Sequence, residues 1–203
     1  AEAASLAELG FIVVQIDGRG TPFRHKAFLD DCYGWTESAS RSEDHIAGIQ
    51  QLAQRYSYMD LNRVGISSHC GGGMGVVSSL CQHDVFYKVG VASAVYDSRF
   101  ISAALWGERY EGLSGPSADH QYPEQLVENL QGKLLLTNSM VDPLAPAEGT
   151  LRIIDALQTA NKDFDMVLLP NPAYGYLVHC AWDYLVEHLL EVEPPAEFKL
   201  TTA

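Results

Sequence analysis

The sequence contains few basic residues and no cluster of them. It has 13 Lys and Arg against 26 Asp and Glu, which gives a formal net charge of -13 at pH 7. A protein that binds a nucleic-acid backbone needs Lys and Arg to neutralise the phosphates. We therefore expect no nucleic-acid partner, and we interpret the acidic excess as a solvated surface.

Long apolar runs and paired cysteines are also missing. No segment approaches the roughly 20 apolar residues of a membrane-spanning helix, so we expect no membrane span. The cysteines show neither a C-x-x-C pair nor the spacing of zinc ligands. This pattern favours free thiols over a disulfide and gives no indication of a metal or cofactor site. The four cysteines are Cys32, Cys70, Cys81 and Cys180.

The start of the chain carries no targeting pattern. Residues 1–9 read AEAASLAEL, without the basic start and apolar core of a signal peptide, and the chain does not begin with Met. The 203 residues are 47% hydrophobic and 19% charged, which suits one globular domain with a sizeable core. We expect a single domain over residues 1–203 that is incomplete at its N-terminus.

Short apolar runs alternate with stripes of apolar residues at helical spacing. This alternation predicts a parallel α/β sheet flanked by helices. The predicted strands lie near residues 11–16, 64–68, 88–94, 133–138 and 165–169. Residues 96–131 lack clear periodicity, which predicts a long insertion over one end of the sheet. Its aromatic residues are Tyr96, Phe100, Trp106, Tyr110 and Tyr122.

The most informative stretch is RVGISSHCGGGMG, residues 63–75. A short strand enters a turn of small residues, and a helical pattern follows. Such a turn is a plain connection, a phosphate cradle or a nucleophile elbow of the G-x-S-x-G type. A phosphate loop of the G-x-x-x-x-G-K-[ST] type is excluded because no Lys follows the glycines. In an elbow, Cys70 would occupy the nucleophile position, with Ser68 in place of the first glycine.

Several stretches along the chain share the pattern of one known family. They include LAELGFIVVQIDGRGTPFR, EDHIAGIQQLAQRYSYMDLNRVGI, HCGGG, WGERYEGL, ENLQGKLLLTN and WDYLVEHLLEVEPPAEFKL. Together they resemble the C-terminal catalytic domain of the prolyl oligopeptidase family, most closely its dipeptidyl peptidase IV-like branch. The resemblance implies an α/β-hydrolase fold and a Ser-Asp-His serine peptidase that removes dipeptides or cleaves after proline.

The resemblance also locates the triad, and two of its three positions differ from the family. The nucleophile position is Cys70, the acid is Asp142, and the base position holds Tyr174 in Asn-Pro-Ala-Tyr-Gly-Tyr. The pKa of tyrosine is about 10, against about 6.5 for histidine. A tyrosine is therefore protonated at neutral pH and cannot act as the general base. The sequence predicts a degenerate triad.

An alternative is a working hydrolase with a cysteine nucleophile. A thiolate is intrinsically nucleophilic, and a helix N-terminus can lower the pKa of a thiol. In that alternative Cys70 acts with Asp142, and His179 is the substitute base. We expect His179 to be a solvated residue and His69 to have a structural role. An active serine peptidase with only its nucleophile replaced is disfavoured, because the base position differs as well.

Further parts that the resemblance implies are missing or poorly matched. The family strand that carries Tyr-Gly-Gly, whose tyrosine helps form the oxyanion hole, precedes the helix that here ends at Leu9. We therefore expect a sheet that lacks the usual N-terminal strands. Either that strand and a propeller domain lie upstream, or the strands at 11–16 and 64–68 pair directly in a five-stranded sheet. The tyrosines of the proline pocket are also poorly matched, with Ser102 and Trp106 nearby.

These features predict an inactive or strongly impaired peptidase domain that serves as a fold, binding or dimerisation module. We expect a peptide or a small molecule as its ligand. The last predicted helix carries an apolar stripe, which either forms a homodimer contact or packs on the sheet. The stripe consists of Trp182, Leu185, Leu189 and Leu190.

Overall fold

The computed structural model describes residues 2–34, 41–96, 104–112 and 121–196. Its centre is a four-stranded sheet in the order β1-β2-β3-β4, and all neighbouring strands are parallel. Parallel neighbours require crossover connections, which here contain helices. The strands are β1 (Val64–His69), β2 (Tyr87–Ser93), β3 (Lys133–Ser139) and β4 (Asp165–Leu169).

Seven α-helices accompany the sheet in the described parts of the chain. They are α1 (Glu2–Glu8), α2 (Lys26–Asp30), α3 (Ser42–Arg55), α4 (Gly71–Gln82), α5 (Ala104–Tyr110), α6 (Ala147–Thr159) and α7 (Tyr174–Leu185). Short 3₁₀ turns occur at Pro123–Gln125 and Val127–Asn129, and a π-helical turn, Val186–Leu190, continues α7. In α3 the acidic Glu43 and Asp44 lie in the first turn and Arg55 in the last, as the helix dipole favours.

The helices cover both faces of the sheet, which a parallel sheet requires because both of its faces are apolar. On one face, α4 and α6 pack against buried β3 side chains such as Leu134 and Leu136, and Ile46 of α3 packs at the edge. On the other face, α7 packs against Val89 and Val91 of β2, and α1 contributes Leu6. The result is a helix-sheet-helix sandwich.

Four of the five predicted strands are confirmed, and the prediction of a strand at residues 11–16 is wrong. Residues 11–18 form neither helix nor strand. Within the described ranges, β1 is the edge of the sheet, and a cleft separates it from Phe11–Gln15. An apolar run becomes a strand only where a neighbour offers backbone partners. The two segments therefore do not pair directly in a five-stranded sheet.

The C-terminal apolar stripe packs on the sheet, one of the two outcomes that the sequence left open. Trp182, Leu185 and Leu189 are only 5%, 6% and 8% exposed, in contact with the β2 face. All four cysteines are free thiols, as predicted. Across the described ranges, no helix has the length and apolarity needed to cross a membrane. Phe100 and Ser102 lie outside the described residues.

Candidate active site

Cys70 lies at the sharp turn between β1 and α4, as the sequence predicted. Its backbone has φ 60° and ψ -128°, a positive φ that is uncommon for a residue with a side chain. Three backbone hydrogen bonds fix this turn. The Cys70 N–H donates to Ser93 O at 2.9 Å, and Cys70 O accepts from Gly73 N–H at 2.8 Å and Tyr96 N–H at 3.2 Å. The geometry is that of a nucleophile elbow.

The glycines after Cys70 allow α4 to start very close to the strands. A Cβ atom on Gly72 would lie 3.0 Å from Ser68 Cβ and would also clash with the Ser68 hydroxyl. On Gly73 a Cβ atom would lie 3.2 Å from Ser93 O. On Gly71, by contrast, it would meet no atom within 4 Å. A side chain at position 72 would thus clash with Ser68, and one at position 73 would press against the backbone of Ser93.

Asp142 follows β3, in the loop that leads to α6. Its Oδ1 accepts hydrogen bonds from Leu144 N–H at 2.8 Å and Ala145 N–H at 2.9 Å, and its Oδ2 accepts from the Tyr174 hydroxyl at 3.0 Å. Burial favours a higher pKa for this carboxyl. The three hydrogen bonds and the charge of His69 outweigh burial and lower the Asp142 pKa below its usual value. Asp142 is therefore an anion at neutral pH.

Asn138 holds the loop that carries Asp142, and the sequence analysis did not identify it. It is fully buried near the end of β3, and its Nδ2 donates to Thr150 Oγ1 at 3.0 Å and to Ala145 O at 3.4 Å. Ala145 is also one of the N–H donors to Asp142. The sequence could have indicated Asn138, because it is a polar residue near the carboxyl end of an apolar strand, where functional groups of parallel sheets are found.

Tyr174, which the resemblance assigns to the position of the base, is the first residue of α7. Its hydroxyl donates to Asp142, and this bond raises the Tyr174 pKa above its ordinary value, with smaller contributions from burial and from the Asp142 charge. The hydroxyl therefore keeps its proton throughout the neutral range. A group in this state can donate a hydrogen bond to the acid but cannot accept a proton from a nucleophile.

The Cys70 thiol is also protonated at neutral pH. Burial raises its pKa, the hydrogen bond from Gly71 N–H lowers it, and the negative charge of Asp142 raises it again, with a net upward shift. The N–H at the start of α4 thus lowers the Cys70 pKa, as expected, but burial and the Asp142 charge outweigh it. A half-buried thiol beside a carboxylate is a weak nucleophile.

The two histidines near the site differ in their surroundings. His179 Nε2 lies 2.9 Å from Asp183 Oδ2, one turn further along α7. Because His179 follows Tyr174 by five residues, it is rotated about 140° around the helix axis from that tyrosine. It therefore faces away from the direction of Tyr174. His69 ends β1, and its charge acts on Asp142.

An aromatic cluster lies next to the elbow. The ring of Trp106 is 4.5 Å from that of Tyr110 and 6.0 Å from that of Tyr96, measured between centroids. Tyr96 is joined to the elbow through its N–H, which donates to Cys70 O. Trp106 is 56% exposed. The cluster provides a partly solvent-facing apolar surface beside the candidate nucleophile.

These features define a class of protein. A parallel sheet with helices on both faces, a side chain at positive φ between a strand and a helix, and a carboxylate after a later strand are those of an α/β-hydrolase. The model of the prolyl oligopeptidase family matches residues 1–188, and the chain belongs to that family.

The chain is similar to several known peptidases. It is 27% identical over 192 residues to human (Homo sapiens) dipeptidyl peptidase 8, covering 92% of this chain and 21% of that protein. It is 29% identical over 187 residues to a probable dipeptidyl-aminopeptidase B of Neurospora crassa, covering 86% of this chain and 19% of that protein. The chain thus spans about a fifth of the length of these relatives.

Solved structures share the fold. The crystal structure of Porphyromonas gingivalis dipeptidyl peptidase 4 superposes with a TM-score of 0.70 at 26% identity, covering 85% of this chain and 26% of that one. An acylaminoacyl peptidase of Pyrococcus horikoshii gives a TM-score of 0.71 at 19% identity, covering 89% of this chain and 32% of that one. The expected α/β-hydrolase fold is confirmed.

Proposed function

We propose that this chain is a peptidase-family domain with a degenerate triad of Cys70, Asp142 and Tyr174. It is inactive or strongly impaired toward dipeptidyl substrates and serves as a fold, binding or dimerisation module. The observation that carries the proposal is the hydrogen bond from the Tyr174 hydroxyl to Asp142. It supports the proposal because the residue that the resemblance assigns to the catalytic base is then a proton donor that stays protonated at neutral pH.

The proton transfers of acyl transfer explain why a protonated Tyr174 impairs catalysis. For Cys70 to attack a peptide carbonyl, its thiol must transfer a proton to a base, and the leaving amine must later receive one. Tyr174 cannot accept the first proton, and Asp142, whose pKa is lowered, already accepts three hydrogen bonds and is a poor base. In another protease, loss of the triad histidine alone cost about a millionfold in kcat. A comparable loss would leave turnover near background.

The groups that would bind the substrate also support impairment. An oxyanion hole needs preorganised N–H or O–H donors around the developing charge. One backbone donor at the elbow, Gly71 N–H, already interacts with the Cys70 thiol and lowers its pKa. The ring of Trp106 packs against that of Tyr110 with centroids 4.5 Å apart, so each ring covers part of the other.

The competing function is an active cysteine hydrolase that uses Cys70, Asp142 and His179. It is favoured only by the presence of a thiol at the elbow and a histidine in α7. His179 is close to Asp183 and faces a different side of the helix from Tyr174. His69, whose charge acts on Asp142, is the other candidate base that an assay must include.

Hydrolysis of Gly-Pro and Ala-Pro arylamides by the purified chain separates these functions. We expect no release of arylamine above background from the wild type or from Cys70→Ala. Turnover by the wild type that disappears in Cys70→Ala and His179→Ala but survives in Tyr174→Phe would establish the competing function. The variant His69→Ala tests the remaining histidine in the same way.

Dimerisation requires a different surface from the buried stripe. On the π-helical turn, Glu187 is exposed, whereas Val186 and Leu189 are buried. A dimer formed through this end of the chain should therefore respond to a charge change at Glu187. Sedimentation of the wild type and Glu187→Arg at several concentrations tests this part of the proposal, and a wild type that stays monomeric would remove it.

A further inference from the structure

A polar recess of about 650 Å³ lies at the end of the sheet opposite Cys70. Its lining includes Asp84, which precedes β2, and Gln131, which precedes β3, whereas Cys70 directly follows β1. In a parallel sheet the amino ends of the strands share one edge, and the carboxyl ends share the other. The recess is therefore separate from the candidate active site.

We propose that this recess binds a small zwitterion, either a free amino acid or a short peptide. The carboxylate of the ligand contacts Lys162, and its ammonium group contacts the carboxylates of Asp84 and Glu128. This inference is independent of the proposed function, because none of these three residues belongs to the triad. It is argued from the position of Lys162, from its partners and from the charges that line the recess.

The end of α6 fixes the position of Lys162. Asn161 has a φ of 51°, a left-handed conformation that ends many helices and that asparagine tolerates. The Asn161 N–H donates to Gln158 O at 3.0 Å. The Lys162 N–H donates to Leu157 O at 2.9 Å. These two hydrogen bonds are those of a Schellman motif, so the backbone that carries the Lys162 side chain is held in place.

The Lys162 ammonium group lies in the wall of the recess with few partners. Its Nζ donates to Leu130 O at 3.1 Å, and the donor is partly buried. Burial raises the pKa of the Cys81 thiol to about 12, and the charge of nearby Lys162 acts against this rise. Among the described residues, no carboxylate lies within ion-pair distance of Lys162. An ammonium group has three N–H donors, so a carboxylate of a ligand can supply the missing acceptor and counter-charge.

Two protein carboxylates decide the net charge of the ligand. Asp84 and Glu128 also line the recess, so its described lining carries one positive and two negative groups. A simple anion such as phosphate is repelled by these carboxylates and by the net charge of -13. A simple cation leaves Lys162 without a counter-charge. A molecule with both a carboxylate and an ammonium group satisfies both signs.

The other lining groups match a short peptide backbone. Each carboxamide side chain has N–H donors and a C=O acceptor, as a peptide group does. A residue in a packed sheet occupies about 3.3 Å by 4.8 Å by 10 Å, or about 160 Å³. A volume of about 650 Å³ therefore accommodates up to about four residues. The carboxamides in the lining are Gln82, Gln121, Asn129 and Gln131.

The test uses glycylglycine and NMR of the backbone amides of the wild-type chain. Two analogues each lack one charge, because N-acetylglycylglycine has no ammonium group and glycylglycinamide has no carboxylate. We expect saturable shifts of the amide signals of Lys162 and Asn129 with glycylglycine. Each analogue should bind at least about tenfold more weakly, as expected when a hydrogen bond between charged groups is lost.

Free glycine, titrated in parallel, distinguishes the two sources of this chemistry. Glycine has the same two charged groups but no peptide bond. Binding of glycine that is as tight as that of glycylglycine would assign the recess to amino acids. Tighter binding of glycylglycine would assign it to short peptides.

Matched variants locate the binding site. Lys162→Met removes the ammonium group, whereas Lys133→Met removes one from an exposed residue outside the lining. Glu128→Gln is matched by Glu148→Gln, which changes an exposed residue of α6 outside the lining. We expect only Lys162→Met and Glu128→Gln to weaken binding. Lys162→Met should also bind glycylglycine and glycylglycinamide equally, which a general loss of stability would not produce.

Several results would overturn the proposal. They are no saturable shift, equal binding of glycylglycine and both analogues by the wild type, or unchanged affinity in Lys162→Met. Binding of N-acetylglycylglycine as tight as that of glycylglycine would show a simple anion site and would also overturn it. The analogues are compared on the wild type, so they remain decisive if Lys162→Met does not fold. The arylamide assay is unaffected by any of these outcomes, so the two proposals fail separately.

Discussion

Tyr174→Phe removes one hydroxyl and thereby tests how the acid and the base position are coupled. The variant loses the hydrogen bond to Asp142 Oδ2 but keeps the ring and the two backbone donors to Oδ1. Hydrogen bonds to charged groups contribute about 1.5–3 kcal/mol. Because Tyr174 is 45% exposed, water replaces part of this bond, and we expect a loss of about 1 kcal/mol in the free energy of unfolding at pH 7.

The free energy of unfolding that Tyr174→Phe loses should become smaller at both low and high pH. The folded-state pKa of Asp142 is lowered, so its contribution is present above the unfolded pKa of about 3.9 and disappears as the pH falls through the folded value. The folded-state pKa of Tyr174 is raised, so its contribution is present below about pH 10 and disappears as the pH rises through the folded value. The difference between wild type and variant should therefore be largest between these limits.

Urea unfolding at pH 3, 7 and above 10 measures this difference. With a slope of about 2.5 kcal/mol/M, the loss at pH 7 lowers the midpoint by about 0.4 M. The control is Tyr58→Phe, which removes a hydroxyl from a tyrosine that is 69% exposed and should change the midpoint little. A difference for Tyr174→Phe that is the same at all three pH values would refute the coupling between Tyr174 and Asp142.

Three further predictions concern the elbow. Cys70→Ser without Tyr174→His should leave the chain inactive on proline arylamides, because a serine hydroxyl needs a base even more than a thiol does; turnover by this variant would reveal another base. Since the Cys70 pKa is raised, its alkylation by iodoacetamide, followed by peptide mass spectrometry, should be slower at pH 7 than after unfolding in urea. Labelling of Cys70 that is faster in the folded chain would show a depressed pKa. Gly72→Ala should lower the free energy of unfolding by about 1–3 kcal/mol because of the contact with Ser68, whereas Gly71→Ala, with open space around it, should be nearly neutral. If urea unfolding showed equal effects of Gly72→Ala and Gly71→Ala, the close contact between position 72 and Ser68 would be contradicted.

Much of the fold could be predicted because it depends on local patterns. The strands β1 to β4 are short apolar runs, and the glycines after Cys70 indicate a sharp turn into a helix. The prediction failed at residues 11–16, where an apolar run is not a strand because none of the described residues pairs with it as a neighbouring strand. Pairing is a long-range property that the run itself does not encode.

For the candidate site, the sequence indicated which residues take part but not how they interact with one another. The positions of Cys70, Asp142 and Tyr174 came from the resemblance, and the structure brings the last two within hydrogen-bond distance. The direction of the Cys70 pKa shift could not be predicted, because it depends on burial and on the distance to a carboxylate that is 72 positions away in the sequence. The role of Asn138 also depends on tertiary contacts, with Ala145 and Thr150.

The backbone at Cys70 has a consequence for how this domain can change. A side chain at φ 60° costs of order 1–3 kcal/mol, and the chain bears that cost whether or not the thiol reacts. The cost follows from the need to turn from β1 into α4 within one residue, so it is a property of the fold. Cys70→Gly should therefore increase thermal stability. The backbone conformation that would present a nucleophile is thus kept whichever side chain stands at position 70.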